Sequence, residues 1–368
     1  MSHDVSVLFR PFSIGSVRLD NRIVMAPMTR TKSPHGVPGD DVAEYYARRA
    51  RGGVGLIITE GTTIEHAAAN PSPDVPAFFG AAALAGWREV VRRVHAEGGK
   101  IFPQLWHVGA ARRPGTGPHT DVSGYSPSGI AKPGGKVVGH AMTERDIADV
   151  IGAYASAGAN AKALGFDGLE LHAAHGYLID QFLWQGMNQR DDGYGGSPET
   201  RTRFATEIVR AVRAAVGPGF PLVLRYSQWK LQDYRAKLAD TPAQLGALLE
   251  RLVDAGVDVF HCSTRRYFQP EFEGSPLNLA GWTKKLTGKP TITVGSVGLD
   301  TEFVGDAGMN SGNTSDLDNL LERLAHDEFD LVAVGRALIG DADWARKVRE
   351  GRQSEIHGFD RAQLDTLV

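Results

Sequence analysis

At 368 residues and 42% hydrophobic content, the chain can bury a large core and has the size that single α/β barrels commonly reach. Its formal net charge of −3, without a long run of like charge, provides no basic field, so neither nucleic acid nor an anionic membrane surface is an expected partner. The only cysteine, Cys262, excludes an intrachain disulfide framework and a cysteine-ligated iron–sulfur cluster within one chain.

The chain opens "MSHDVSVLFRPFSIGSV", without a basic region leading into an apolar one. Nowhere do about 18 uncharged apolar residues run together. A cytoplasmic protein is expected.

Short apolar or alternating runs mark eight strands: "RIVMAP" (22–27), "VGLIIT" (54–59), "KIFPQLW" (100–106), "DGLELH" (167–172), "PLVLRY" (221–226), "VDVFHC" (257–262), "PTITVG" (290–295) and "DLVAVG" (330–335). Helical patterns with apolar residues three and four apart lie between most of them. "GWREVVRRVHAEG" precedes the third strand, "ERDIADVIGAYASAGANAKALG" the fourth, "ETRTRFATEIVRAVRAAVG" the fifth, "TPAQLGALLERLVDAG" the sixth and "SDLDNLLERLAHDEF" the eighth. Near-continuous apolar strands separated by helices imply a parallel sheet covered on both faces. Eight such units favour one closed (β/α)8 TIM barrel spanning residues 1–368. An open doubly wound sheet would show a G-x-G-x-x-G turn after an early strand, and none of these strands carries one.

Two stretches break the rhythm. Residues 109–144, rich in Gly, Pro and Ser, form an excursion after the third strand, and "SQWKLQDYRAKLAD" follows the fifth. Long loops of this kind serve as lids or rims.

In a TIM barrel the chemistry collects where the strands end, because the βα loops converge there over a packed core. The first strand ends in Ala26, Pro27, Met28 and Thr29, the second in Glu60 and Gly61, the third in Gln104, Trp106 and His107, and the fourth in His172 and His175. Arg225 ends the fifth, Cys262 and Ser263 the sixth, Gly295, Ser296 and Gly298 the seventh, Gly335 and Arg336 the eighth. Gly-rich loops after the last two strands let backbone N–H groups approach an anion, with Arg336 to add charge-assisted bonds; the same glycines also serve as simple tight turns. Thr29, Gln104 and Arg225 suit a flat, polar, electron-accepting ring, whose reduced form a nearby cation stabilises.

"LELHAAHGYLIDQFL" (169–183) carries His172, His175 and Tyr177. The histidines have three readings. As metal ligands they lack a third partner beyond Glu170 or Asp180, and no H-E-x-x-H is present. As core residues they need only hydrogen bonds. As two donors on one carbonyl or nitro oxygen they suit conjugate reduction, in which charge gathers on that oxygen while a carbon two bonds away takes a proton. Tyr177 fits that proton-donor role, and equally fits an amphipathic residue at a helix start.

Five stretches taken in order resemble the old yellow enzyme family of FMN-dependent ene-reductases. They are "LFRPFSIGSVRLDNRIVMAPMTR", "EYYARRARGGVGLIITEGT", "QLWHVG", "GFDGLELHAAHGYLIDQFLWQGMNQRDDGYGGSPETRTRF" and "VAVGRALIGD". The resemblance implies non-covalently bound FMN, with NAD(P)H as reductant. It implies Ala26, Pro27, Met28 and Thr29 at the flavin ring, Gly61 and Gln104 on its polar edge, Arg225 beside N1 and the C2 carbonyl, and Gly295, Ser296, Gly335 and Arg336 at the phosphate. His172 and His175 would grip the substrate's activating oxygen, Tyr177 would protonate the α-carbon, and Trp106 would shape the pocket. "NQRDDGYGGSPETRTRF" reads as a self-bonded turn supporting the site. No metal is implied.

The implied reaction is a ping-pong hydride transfer from NAD(P)H through flavin N5 to the β-carbon of an enone, enal, imide or nitroalkene. One pocket would serve both halves, in a possible homodimer.

Many members have Asn where His175 stands, and some carry Cys at the place of Thr29; the single cysteine sets the chain apart from iron–sulfur relatives. Tyr267 and Phe268, after the sixth strand, are expected pocket aromatics, with loop packing as their alternative. Two rival functions accompany the reading. A barrel aldolase or isomerase acting on a phosphorylated substrate would need a Schiff-base Lys or a carboxylate at a strand end, where only Glu60 stands; a non-catalytic flavin-binding barrel would have no use for the His172, His175 and Tyr177 group.

Overall fold

The structure, a computed structural model, describes residues 4–305 and 308–368. Of the amino-terminal stretch read above, Met1–His3 lie outside the described residues. Eight parallel strands close a barrel in chain order: β1 (Ile23–Met25), β2 (Leu56–Thr63), β3 (Ile101–Trp106), β4 (Leu169–His175), β5 (Leu222–Lys230), β6 (Val259–Ser263), β7 (Thr291–Val294) and β8 (Leu331–Val334), with β8 pairing back to β1.

The strand period of two divides the apolar residues between two cores. Val24, Leu56, Ile58, Phe102, Val223, Val259, Ile292, Leu331 and Ala333 fill the barrel interior, and Ile14 and Leu19 of an amino-terminal hairpin (Phe12–Ile14, Val17–Leu19) join them as a plug. Their neighbours Ile23, Met25, Ile57, Ile101, Leu171, Leu224 and Val332 face outward and pack under the helices.

The principal surrounding helices are α1 (Asp40–Arg51), α2 (Ala81–Ala96), α3 (Glu144–Ala163), the short α4 (Leu178–Leu183), α5 (Pro198–Val216), α6 (Pro242–Ala255), α7 (Leu279–Thr287) and α8 (Asp318–Ala325); two short helices, α9 (Arg336–Gly340) and α10 (Trp344–Arg349), follow β8. Their ends follow from local chemistry. A Thr143–Asp146 capping box starts α3, Ser197 and Pro198 start α5, and α6 begins at Thr241 and Pro242 and stops at Gly256, whose φ of 119° places it in the left-handed region.

Three strands run further than their sequence patterns: β2 to Thr63, β4 to His175 and β5 to Lys230. Thus "SQWK", read as the start of a loop, is strand. The other excursion, residues 109–144, is ordered by a short parallel ribbon (Tyr125–Ser126, His140–Ala141) and by Arg112, which donates to the carbonyls of Asn70, Thr116, His119 and Val122. Arg190 of the "NQRDDGYGG" turn donates to the carbonyls of Pro127 and Met142, tying that turn to the same excursion. Among the described residues no helix is long and apolar enough to cross a membrane.

Candidate active site

A cavity of about 310 Å³ opens at the carboxyl ends of the strands. Ala26, Pro27, Met28 and Thr29 follow β1; Gln104 and Trp106 come from β3, His172 and His175 from β4, Arg225 from β5, Ser263 from β6, Gly295 and Ser296 follow β7, and Gly335 and Arg336 follow β8. Tyr177, the residue before α4, completes the set. Tertiary closure thus gathers residues that are up to about three hundred positions apart in the chain.

The floor is polar and rigidly held. Gln104 Nε2 donates to Glu170 Oε1 at 2.8 Å, and Glu170 Oε2 faces His261 Nδ1 at 2.7 Å, with Glu170 and His261 fully buried. One N–H of the amide is spent on Glu170, which leaves its oxygen and its second N–H for the cavity. Arg225 is 8% exposed, its Nη2 reaches Ser263 Oγ at 3.3 Å, and its Nε is buried with no hydrogen-bond partner. Burial pulls the Arg225 guanidinium down from its ordinary range, against the field of Glu170. An orphaned buried donor of this kind calls for an acceptor that the protein does not supply.

At the far end β7 runs into Gly295 at φ 140°, where a Cβ would sit 2.6 Å from the Thr264 carbonyl oxygen, and Ser296 at φ 54°. Only glycine is compatible with that first position. Arg336 donates to the carbonyls of Asn310 (2.7 Å) and Thr301 (2.5 Å), and burial lowers its guanidinium to about 10. A guanidinium has five N–H groups, so donors remain for an anion.

Above the floor the rings form one cluster. Trp106 and His172 stack with centroids 6.1 Å apart, Tyr177 meets both edge-on at 4.9 and 5.0 Å, and His175 stands perpendicular to His172 at 5.1 Å. His175 stacks on Trp229 at 4.6 Å, and its Nε2 lies 2.8 Å from Ser263 Oγ. The backbone turns sharply here. His175 has φ 65°, held by its N–H donating to Ser227 Oγ at 2.9 Å, and Gly176 follows at φ 80°. That turn carries the chain from β4 into Tyr177.

Burial, then the positive field of Arg225, holds both imidazoles well below their usual range, so they are neutral at pH 7. The Ala174 N–H donates to His172 Nδ1 at 3.3 Å, leaving the proton on Nε2. Burial pushes the Tyr177 hydroxyl up to about 12, with Arg225 opposing, so it keeps its proton.

Not every expected residue reaches the wall. Gly61 pairs with Gln104 across β2 and β3 and is not among the residues lining the cavity, and a Cβ there would fall 2.5 Å from the Trp106 ring, so its missing side chain makes room for Trp106. Tyr267 is buried and meets the exposed Phe268 edge-on at 5.4 Å, and neither is among the residues lining the cavity. Glu60, the carboxylate that an aldolase or isomerase reading would need, accepts from the N–H groups of Arg30 and Thr31 and does not line the cavity. Burial raises its carboxyl to about 7.

Other wall residues carry no local signal. Trp229 comes from the end of β5 and Tyr234 from the loop that follows it, and Phe303, Met309 and Leu364 from segments without a repeating pattern. Only the fold brings them over the site.

The polar groups fit FMN: the Gln104 amide and a guanidinium with an unpartnered Nε–H for a ring bearing alternating N–H and carbonyl groups, and a glycine turn with Arg336 for a phosphate. Comparison with known proteins agrees. The NADH:flavin oxidoreductase / NADH oxidase family profile matches residues 7–355. NADH oxidase of Thermoanaerobacter brockii is 35% identical over 358 residues, covering 95% of this chain but 52% of the relative, so the chain spans about half of that protein's length. 12-oxophytodienoate reductase 7 of Oryza sativa subsp. japonica is 34% identical over 354 residues, covering 93% of this chain and 87% of the relative. The structure of morphinone reductase in complex with tetrahydroNAD superposes with a TM-score of 0.80 at 30% identity, covering 97% of this chain and 93% of that one. The barrel, the cavity and these likenesses converge: the chain belongs to the NADH:flavin oxidoreductase / NADH oxidase family, the old yellow enzymes, and is an FMN-dependent oxidoreductase using NAD(P)H.

Proposed function

We propose that this enzyme is an ene-reductase that takes NAD(P)H and an activated alkene in turn in the same cavity, and that residues 1–368 act as one FMN-binding unit, paired as a homodimer. The observation that carries the reading is the position of two neutral imidazoles and a protonated tyrosine on one cavity wall, over a floor where the Arg225 guanidinium keeps an unpartnered Nε–H. Bound FMN supplies two-electron hydride chemistry between the two ligands.

The protein's own residues do the rest. His172 and His175 each offer one N–H to the carbonyl or nitro oxygen of the alkene, where negative charge grows as the β-carbon is reduced. Tyr177, 5.0 Å from His172 between ring centroids, holds the proton that the α-carbon needs. Trp106 and Trp229 exclude water from that side. Gln104 and Arg225 hold the polar edge of the flavin, Ala26, Pro27, Met28 and Thr29 lie along its ring, and Gly295, Ser296, Gly335 and Arg336 receive its phosphate. Enones, enals, imides and nitroalkenes share the oxygen that such a clamp requires. The names of the rice reductase and morphinone reductase describe reductases of other compounds, in keeping with this class.

The test is product analysis without oxygen: FMN-loaded enzyme, NADPH and 2-cyclohexenone in D2O. Cyclohexanone carrying deuterium at the α-carbon is expected. Oxidation of NADPH with no saturated ketone from any enone, imide or nitroalkene would overturn the reading.

A further inference from the structure

His175 has two ring nitrogens and, being neutral, one proton. Which nitrogen carries it decides whether the ring can donate to a substrate at all. Nε2 lies 2.8 Å from Ser263 Oγ, and one face of the ring is covered by Trp229 at 4.6 Å, so Nδ1 is the nitrogen left for the cavity. If Nε2 held the proton, Nδ1 would present a lone pair to the substrate oxygen and repel it.

Ser263 resolves this choice. Its oxygen accepts from Nη2 of Arg225 at 3.3 Å, because a guanidinium has only donors. That bond uses one lone pair of the oxygen, and its own buried proton needs an acceptor, which among the described residues His175 Nε2 alone offers at hydrogen-bond distance. The serine is itself fixed: it is 3% exposed at the end of β6, and its carbonyl accepts from Trp229 Nε1 at 3.1 Å. The same Trp229 stacks on His175, and Ser227 Oγ bridges the His175 N–H to the Trp229 carbonyl.

We propose that Ser263 is a positioning residue that, oriented by Arg225, donates to Nε2 of His175 and thereby fixes the Nδ1–H tautomer that faces the substrate. The inference rests on His175 acting as a substrate clamp. It makes Arg225 bifunctional, since the cation that faces the flavin also sets, through one hydroxyl, the polarity of a group on the substrate side.

The experiment uses FMN-loaded protein with 15N-labelled histidine, the His175 signals being assigned by their loss in His175→Asn. Wild type is expected to show His175 protonated on Nδ1. Ser263→Ala is expected to give a tautomer mixture and to weaken binding of 4-hydroxybenzaldehyde about tenfold, and Ser263→Thr to restore both. An asparagine amide has no tautomers, so adding Ser263→Ala to His175→Asn is expected to leave phenol affinity unchanged. A wild-type His175 protonated on Nε2, or an equal loss of affinity on both backgrounds, overturns the proposal. If wild type binds no phenol or enone, the clamp reading fails separately, while the nitrogen spectrum still decides the tautomer.

Discussion

At the scale of single residues, the site divides into a floor that does not involve His172 or His175 and a wall that does. His172→Ala with His175→Ala is therefore expected to leave FMN content unchanged while weakening phenol and enone binding by at least about tenfold, since hydrogen bonds to a charged oxygen are each worth roughly 1.5–3 kcal/mol. Unchanged enone kinetics in that double variant would remove the clamp. Tyr177→Phe keeps the ring that packs on Trp106 and His172 and deletes only the hydroxyl. Alkene reduction is expected to slow by about 10²-fold with reduction by NADPH intact. Because burial raises this hydroxyl to about 12, its proton is present across the neutral range and is lost only as pH climbs toward that value, so the alkene half-reaction owes no slope near pH 7 to Tyr177. Rapid mixing of each half-reaction across pH checks both statements. The place of His172, His175, Tyr177, Arg225 and Gln104 on the cavity wall was legible because polar groups at the ends of apolar strands are conspicuous. Gly61 shows what the pattern omits: the space it yields to Trp106, which no one-dimensional pattern records.

At the scale of elements, the β4–α4 turn that presents Tyr177 is braced by a buried ion pair. Lys230 at the end of β5 meets Asp180 of α4 at 2.7 Å, both side chains fully buried, while Asp180 also accepts from Gly176 N–H at 2.7 Å and Lys230 donates to the Ser227 carbonyl at 2.8 Å. Burial raises the carboxyl and lowers the ammonium, and each partner's charge opposes the change. Removing one partner strands the other: Lys230→Met is expected to cost about 3–5 kcal/mol of stability, read by urea unfolding of the FMN-loaded protein. A loss below about 1 kcal/mol would mean that the pair is not charged in the folded state. This brace was invisible in the sequence, where Lys230 looked like part of a surface loop and Asp180 like a poor metal ligand. The strands themselves were legible from their apolar runs. α1 was harder to read, since Arg49 on that helix is fully buried, its guanidinium 3.8 Å from the Tyr45 ring and bonded to the Leu338 carbonyl. A charged residue facing inward breaks the periodicity by which an amphipathic helix is recognised.

At the scale of the molecule, closure of the barrel does what local pattern cannot: it sets Ser263, Trp229, Phe303 and Leu364 around one space. Burial also shapes the response to acid. His66, His107, His172, His175 and His261 are all held below the ordinary imidazole range, chiefly by desolvation. Unfolded, they bind protons below about pH 6.5 that the folded protein refuses, so the unfolded state gains protons and stability falls as pH drops through that window. Glu60, Asp180 and Glu271, whose carboxyls burial raises, act in the opposite sense, and the five histidines outnumber them. A lower melting temperature at pH 5 than at pH 7 is expected from calorimetry; a higher one would show that the buried carboxyls dominate.

The measurement that bears most directly on the whole account is an anaerobic visible spectrum of the FMN-loaded enzyme, taken before NADPH, after NADPH, and after 2-cyclohexenone. Wild type is expected to lose its flavin band and then regain it, whereas the His172→Ala, His175→Ala variant is expected to lose the band equally fast and regain it far more slowly. Equal recovery in both proteins, or no recovery in either with any activated alkene, would contradict the assignment of this cavity wall to alkene reduction.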